Sequence, residues 1–125
     1  MSQPVQLFAV IALVSLPTVM YGGYALLRLL KTDPDEFRRT YFRAGHAHAG
    51  VLVILSLVIQ VLLDHALLPP DWLWVTRVAA PVAAILVAGG FFGIAFSPRL
   101  RSLLYAGALL VSFATVATGV GLIRA

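Results

Sequence analysis

The chain contains no cysteine and no asparagine, and only 11% of its 125 residues are charged. Without cysteine there is no disulfide, no thiol nucleophile and no Cys-ligated zinc or iron–sulfur centre. The shortage of charge excludes more. A soluble domain carries roughly 25% charged residues to keep its surface hydrated. Here apolar residues reach 61% and the mean hydropathy is +0.97, so the outer surface must face lipid. Acidic side chains are scarcest, five against nine Lys and Arg, for a net charge of +4. With no soluble domain to present it, that excess does not describe a nucleic-acid partner. The length suits a single domain, residues 1–125.

What is present is four charge-free runs: Val5–Leu27, Ala44–Leu63, Val78–Ser97 and Ser102–Ile123. Each meets the need for about 20 mostly apolar residues to cross the hydrocarbon core. None alternates as a barrel strand does, and lipid leaves only helices or closed barrels. The expected fold is all-α, an integral membrane four-helix up-down bundle, with spans of about 5–28, 44–66, 75–97 and 102–123. The links between the runs are short, one of them marked by Pro69 and Pro70.

Lys and Arg accumulate on the cytoplasmic side of membrane proteins. Arg28, Lys31, Arg38, Arg39 and Arg43 fall in the first connection, and Arg99 and Arg101 in the third. Only Arg77 and Arg124 lie on the other side. A multi-pass protein with both termini outside is expected, with Trp72 and Trp74 as anchors at the outer interface. Positive charge follows the first apolar run rather than preceding it, unlike a cleavable signal peptide.

The few polar residues fall at helical spacing. In the second span His46, Gly50, Val53, Leu57, Gln60 and Asp64 stay within about 40° of one line at about 100° per residue. Polar groups against lipid are costly, so this line is expected to face the interior. The first span offers Gln6, Val10, Leu13, Pro17, Tyr21, Tyr24 and Arg28. The third offers Arg77, Pro81, Ala84 and Ala88, and the fourth Tyr105, Ala108, Ser112 and Gly119. Asp64 and Arg77 come at facing ends of the second and third spans and are expected to pair, with His65 and Asp71 more exposed.

His46 is the residue most suited to chemistry, near Tyr24, Tyr105 and the glycines 89, 90 and 93 in depth. It can serve as an axial haem ligand, completed by Tyr24, Tyr105, the nearby Met20 or a His from a second subunit. It can hydrogen-bond a quinone carbonyl or relay protons with the tyrosines. With His48 it can hold copper or zinc, but residues two apart point about 200° apart, so this needs an unwound first turn that Gly45 and Gly50 permit. Alternatively it only bonds a tyrosine or a carbonyl, and the Gly and Ala pairs serve helix contact within the chain or between copies.

Tyr41-Phe42, then Arg43-Ala44-Gly45-His46-Ala47-His48-Ala49-Gly50 and an apolar span, carry a resemblance. The whole chain resembles uncharacterised four-helix membrane proteins of bacteria, which implies the bacterial cytoplasmic (inner) membrane but no activity. The His46-Ala47-His48 segment is similar to the His-x-His strings of haem-copper-oxidase-like membrane proteins, which place such histidines on several helices. Small multidrug transporters need a Glu in the first helix, and fluoride channels an Asn; this chain has neither.

No carboxylate pair or nucleophile–base pair lies in the spans, which speaks against an enzyme. Two functions remain. One is a haem- or quinone-associated electron-transfer or accessory subunit using His46, in a homo-oligomer or a larger membrane complex. The other is a small channel or proton or ion transporter with a polar core, beside a purely structural role in such a complex.

Overall fold

Prolines and one aspartate place the helix ends. In the computed structural model, which describes residues 1–125, helix α1 runs Gln3–Leu30 and has Pro4 in its first turn, where the missing N–H costs nothing. Helix α2, Glu36–Leu63, is capped by Asp35, whose carboxylate accepts from the Arg38 N–H. Glu36 then adds negative charge to the first turn, where the helix dipole favours it. Helix α3 begins at Pro70 and runs to Ile94. A 3₁₀ turn, Pro98–Leu100, leads into α4, Arg101–Arg124. There is no strand, and all four helices are long and apolar enough to cross a bilayer.

The helices outrun the apolar runs. Helix α2 starts at Glu36 rather than Ala44, two turns earlier, because charge ends an apolar run without ending a helix. Those turns carry Phe37, which stacks on Tyr41, and Tyr41 and Phe42, which meet Phe91 and Phe92 of α3 and Phe96 just beyond it in an aromatic cluster.

Small residues decide the packing. Gly90 lies so close to α4 that a Cβ there would stand 2.7 Å from the Leu104 nitrogen, and one on Gly107 would stand 2.8 Å from that of Val87. Ile59, Leu63, Ala79, Ala80 and Ala114 form one core cluster; Leu52, Ala84 and Val87 form another. Helix α3 is the most enclosed. Helix α1 packs along α2 and touches neither α3 nor α4 with its backbone. Large side chains such as Leu7, Val14, Ile85 and Leu109 point outward all round the bundle.

Two of the four polar lines face the wrong way. On α1, Gln6, Tyr21, Tyr24 and Arg28 are exposed, while Val5, Ala12 and Leu30 are buried. Tyr21 and Tyr24 suit the membrane interface, where an apolar ring and a wet hydroxyl are both accommodated, and the Arg28 guanidinium sits 5.7 Å above the Tyr24 ring. On α4, Tyr105, Ala108 and Ser112 are exposed, and Gly107, Ala114, Thr118 and Gly121 make the contact face. Ser112 tolerates an outward position because its hydroxyl bonds the Ala108 carbonyl of its own helix at 2.9 Å.

Candidate functional site

The polar groups fall into two sites at opposite ends. At the end where α2 meets α3, Arg77 Nη2 donates to Asp64 Oδ1 at 2.7 Å, with the arginine side chain only 4% exposed. Arg77 Nη1 also reaches the Gln60 carbonyl and Oε1, at 3.2 and 3.3 Å. Gln60 Nε2 donates back to the Arg77 carbonyl at 2.7 Å. Ser2 closes the cluster from α1, its N–H and hydroxyl donating to the two Asp64 oxygens at 2.8 and 2.6 Å. The Ser2 hydroxyl, the Ser2 N–H and then Arg77 lower the Asp64 carboxyl, which lies just past the end of α2, to about 2. Each of these side chains has its partner within the cluster, which fastens three helices together. His65 and Asp71 stay exposed outside it.

The other end is not self-satisfied. His46 is half-buried between α2 and α1, its ring lying on the bare backbone of Gly23; a Cβ there would stand 2.6 Å from Nε2. The Gly22-Gly23 pair, at the depth of His46, is the sequence signal for this contact, and a pattern of polar residues does not contain it. The imidazole meets no hydrogen-bond partner from the protein and separates two openings. On the charged side is a pocket of about 330 Å³ lined by Gly23, Leu26, Leu30, Lys31, Arg43 and His46. On the apolar side is a groove of about 360 Å³ lined by Thr18, Gly22, Phe42, Ala49, Phe92 and His46.

That groove continues toward the other end of the bundle. Ala49 also borders a cleft of about 270 Å³, walled by Phe8, Ala12 and Ser15 of α1 and by Pro81 and Ala88 of α3. Ser56, 6% exposed, lines this cleft, and its hydroxyl has no partner from the protein. The opening exists because α1 leans on α2 alone, leaving α1 and α3 as two separate walls with α2 as the floor.

Other residues proposed beside His46 are elsewhere. Tyr24 is 57% exposed on the far face of α1 and Tyr105 is 62% exposed on α4, which does not touch α1, so neither joins the imidazole. His48 points to α3: its ring lies 4.5 Å from that of Phe91, and Nδ1 sits 2.7 Å from the Ala44 carbonyl. A carbonyl only accepts, so Nδ1 carries the proton there. Helix α2 is regular through both histidines, and no three potential metal ligands cluster anywhere. The shared copper or zinc site of His46 and His48 is therefore not formed. Gly45 does not loosen the turn; it admits the Phe92 ring, whose nearest atom would stand 2.9 Å from an added Cβ. Gly90 and Gly93 are filled by Leu104 and Leu100, and Gly89 faces open space, so none of them makes room at His46.

No family model matches the chain, and neither a curated protein nor a solved structure is significantly similar to it.

Proposed function

We propose that the chain is a small accessory protein of the bacterial cytoplasmic membrane that binds a lipid-soluble quinone at His46, with both termini outside. The observation that carries this reading is an unpartnered imidazole at the head of an apolar groove open to one side. A ring N–H donates to a quinone carbonyl, Phe42 and Phe92 flank the head, and the isoprenoid tail follows the cleft past Ala49 toward Ser56. The groove falls within the roughly 300–1,000 Å³ of small-molecule sites. Haem suits the site less, because a second axial ligand from this chain is missing once Tyr24 and Tyr105 face away. A channel is less supported as well. Between His46 and Ser56, α2 turns Ala49, Gly50, Leu52 and Val53 to its neighbours, and the Ser15 and Thr18 hydroxyls that line the path from α1 are taken up by carbonyls of their own helix.

Binding of a short-tailed benzoquinone to purified protein in neutral detergent tests the reading. His46→Leu is expected to weaken binding roughly five- to tenfold, the equivalent of one hydrogen bond, while His48→Leu leaves it unchanged. Equal binding by the two variants would end the quinone assignment. A Soret band lost in His46→Leu would replace quinone with haem.

A further inference from the structure

The pocket on the charged side of His46 differs from the groove in its charge. Its basic residues are unneutralised. Arg38 takes up the nearby acids, reaching Asp33 at 3.4 Å and Asp35 at 3.6 Å, and Arg39 donates to the Asp33 carbonyl. Lys31 and Arg43, which line the pocket, pair with no carboxylate. The remaining acid of this end, Glu36, is seven residues before Arg43 on α2, about 10 Å along the helix. Two cations and an imidazole thus converge on one concavity with no anion of the protein's own.

The walls name the source of the missing anion. Leu26, Leu27 and Leu30 line the same pocket, so a bound anion sits at the edge of an apolar surface. Lys31 follows the end of α1, and Arg43 immediately precedes the apolar run of α2, which places both at headgroup depth. We propose that Lys31 and Arg43, beside His46, bind the phosphate of an anionic phospholipid and that the lipid's acyl chain lies on Leu26, Leu27 and Leu30. Basic pockets between membrane helices on the cytoplasmic side hold such headgroups, and the orientation expected from Lys and Arg puts this pocket on that side. The leucines distinguish a lipid from free phosphate, which gains nothing from them.

Native mass spectrometry of delipidated protein in neutral detergent, titrated with short-chain phosphatidylglycerol or phosphatidylcholine, tests this. The wild type is expected to prefer phosphatidylglycerol. Lys31→Gln with Arg43→Gln is expected to weaken that binding about 25-fold, about fivefold for each basic residue. Lys31→Arg with Arg43→Lys keeps the charges and is expected to stay within about twofold of wild type. Arg124→Gln, at the opposite end of the bundle, leaves binding unchanged. Quinone binding is expected to survive the double Gln substitution, which separates this proposal from the groove. Equal affinity for the two lipids, or wild-type lipid binding by the double Gln variant, would overturn the site. Displacement of the lipid by an equal concentration of inorganic phosphate would overturn the lipid as its ligand.

Discussion

The side-chain amide of Gln60 donates to the main-chain carbonyl of Arg77 at 2.7 Å, and Pro81 is the reason that carbonyl is free. In a regular helix the N–H of residue 81 would bond the carbonyl of residue 77, and proline has none. The vacant acceptor lies in the interior, where an unmade hydrogen bond costs about 1–3 kcal/mol. Gln60, itself fully buried, supplies the donor from the next helix and receives Arg77 Nη1 in return. A proline in one helix thus sets the residue required on another.

Gln60→Leu is expected to destabilise the protein by about 1–3 kcal/mol, since it leaves the Arg77 carbonyl bare. Pro81→Ala restores the helical N–H, so the same Gln60 substitution should cost clearly less in that background. Thermal unfolding of the two single variants and the double variant in detergent measures the coupling. Additive losses would show that the proline and the glutamine act separately.

Acid should loosen the same end of the bundle. The Asp64 carboxyl is held at about 2, below its ordinary 3.8, chiefly by the Ser2 hydroxyl and N–H and then by Arg77. A lowered carboxylate contributes stability that is fully present above the ordinary value and is lost as pH falls through about 2. Thermal midpoints measured from pH 5 downward should therefore fall with acidification, and Ser2→Ala should flatten that slope. An identical slope in the variant would show that Ser2 does not govern the titration.

Neighbouring glycines give an internal contrast. An alanine Cβ at Gly90 would press on the Leu104 backbone, which cannot move aside cheaply, so Gly90→Ala should cost about 1–3 kcal/mol. At Gly89 nothing lies within 4 Å, and Gly89→Ala should be neutral or slightly stabilising, because alanine favours the helix. Comparable losses at both positions would contradict the close α3–α4 contact.

At Gly23 the obstructing atoms belong to the end of a side chain. Gly23→Ala should leave stability nearly unchanged and swing the His46 ring off α1. The readout is the imidazole resonances of His46 together with quinone affinity. Unmoved resonances with wild-type affinity would place the ring elsewhere.

How much of this the sequence discloses depends on how strongly each group resists lipid. Asp64, Arg77 and Gln60 are polar enough that only an interior or end position serves them, so spacing alone finds them and joins Asp64 to Arg77. Tyrosines and serines resist weakly. Tyr24 settles at an interface and Ser112 bonds its own helix, so their periodicity says nothing about which way α1 and α4 face. Those faces are set by Ala12, Gly23, Gly107 and Gly121, where shape rather than polarity selects the contact. The seat of His46 on Gly23, and the service of Gln60 to Pro81, depend on the register between helices, which no single-helix pattern records.

Because α1 rests on α2 alone, its place in the bundle depends on a single partner. Within this chain α1 is made before the surface it needs. The charge-free stretch Val5–Leu27 suits it to the bilayer with so little cover, since beyond its first turn the main-chain groups there, except at Pro17, are satisfied inside the helix. The hairpin of α3 and α4, sealed by Gly90 and Gly107, closes without its help. Ser2 finds its acceptor at the end of α2 itself, on Asp64, which Arg77 of α3 holds from the other side. One seam holds α1 in the bundle, and Ser2 is its latch.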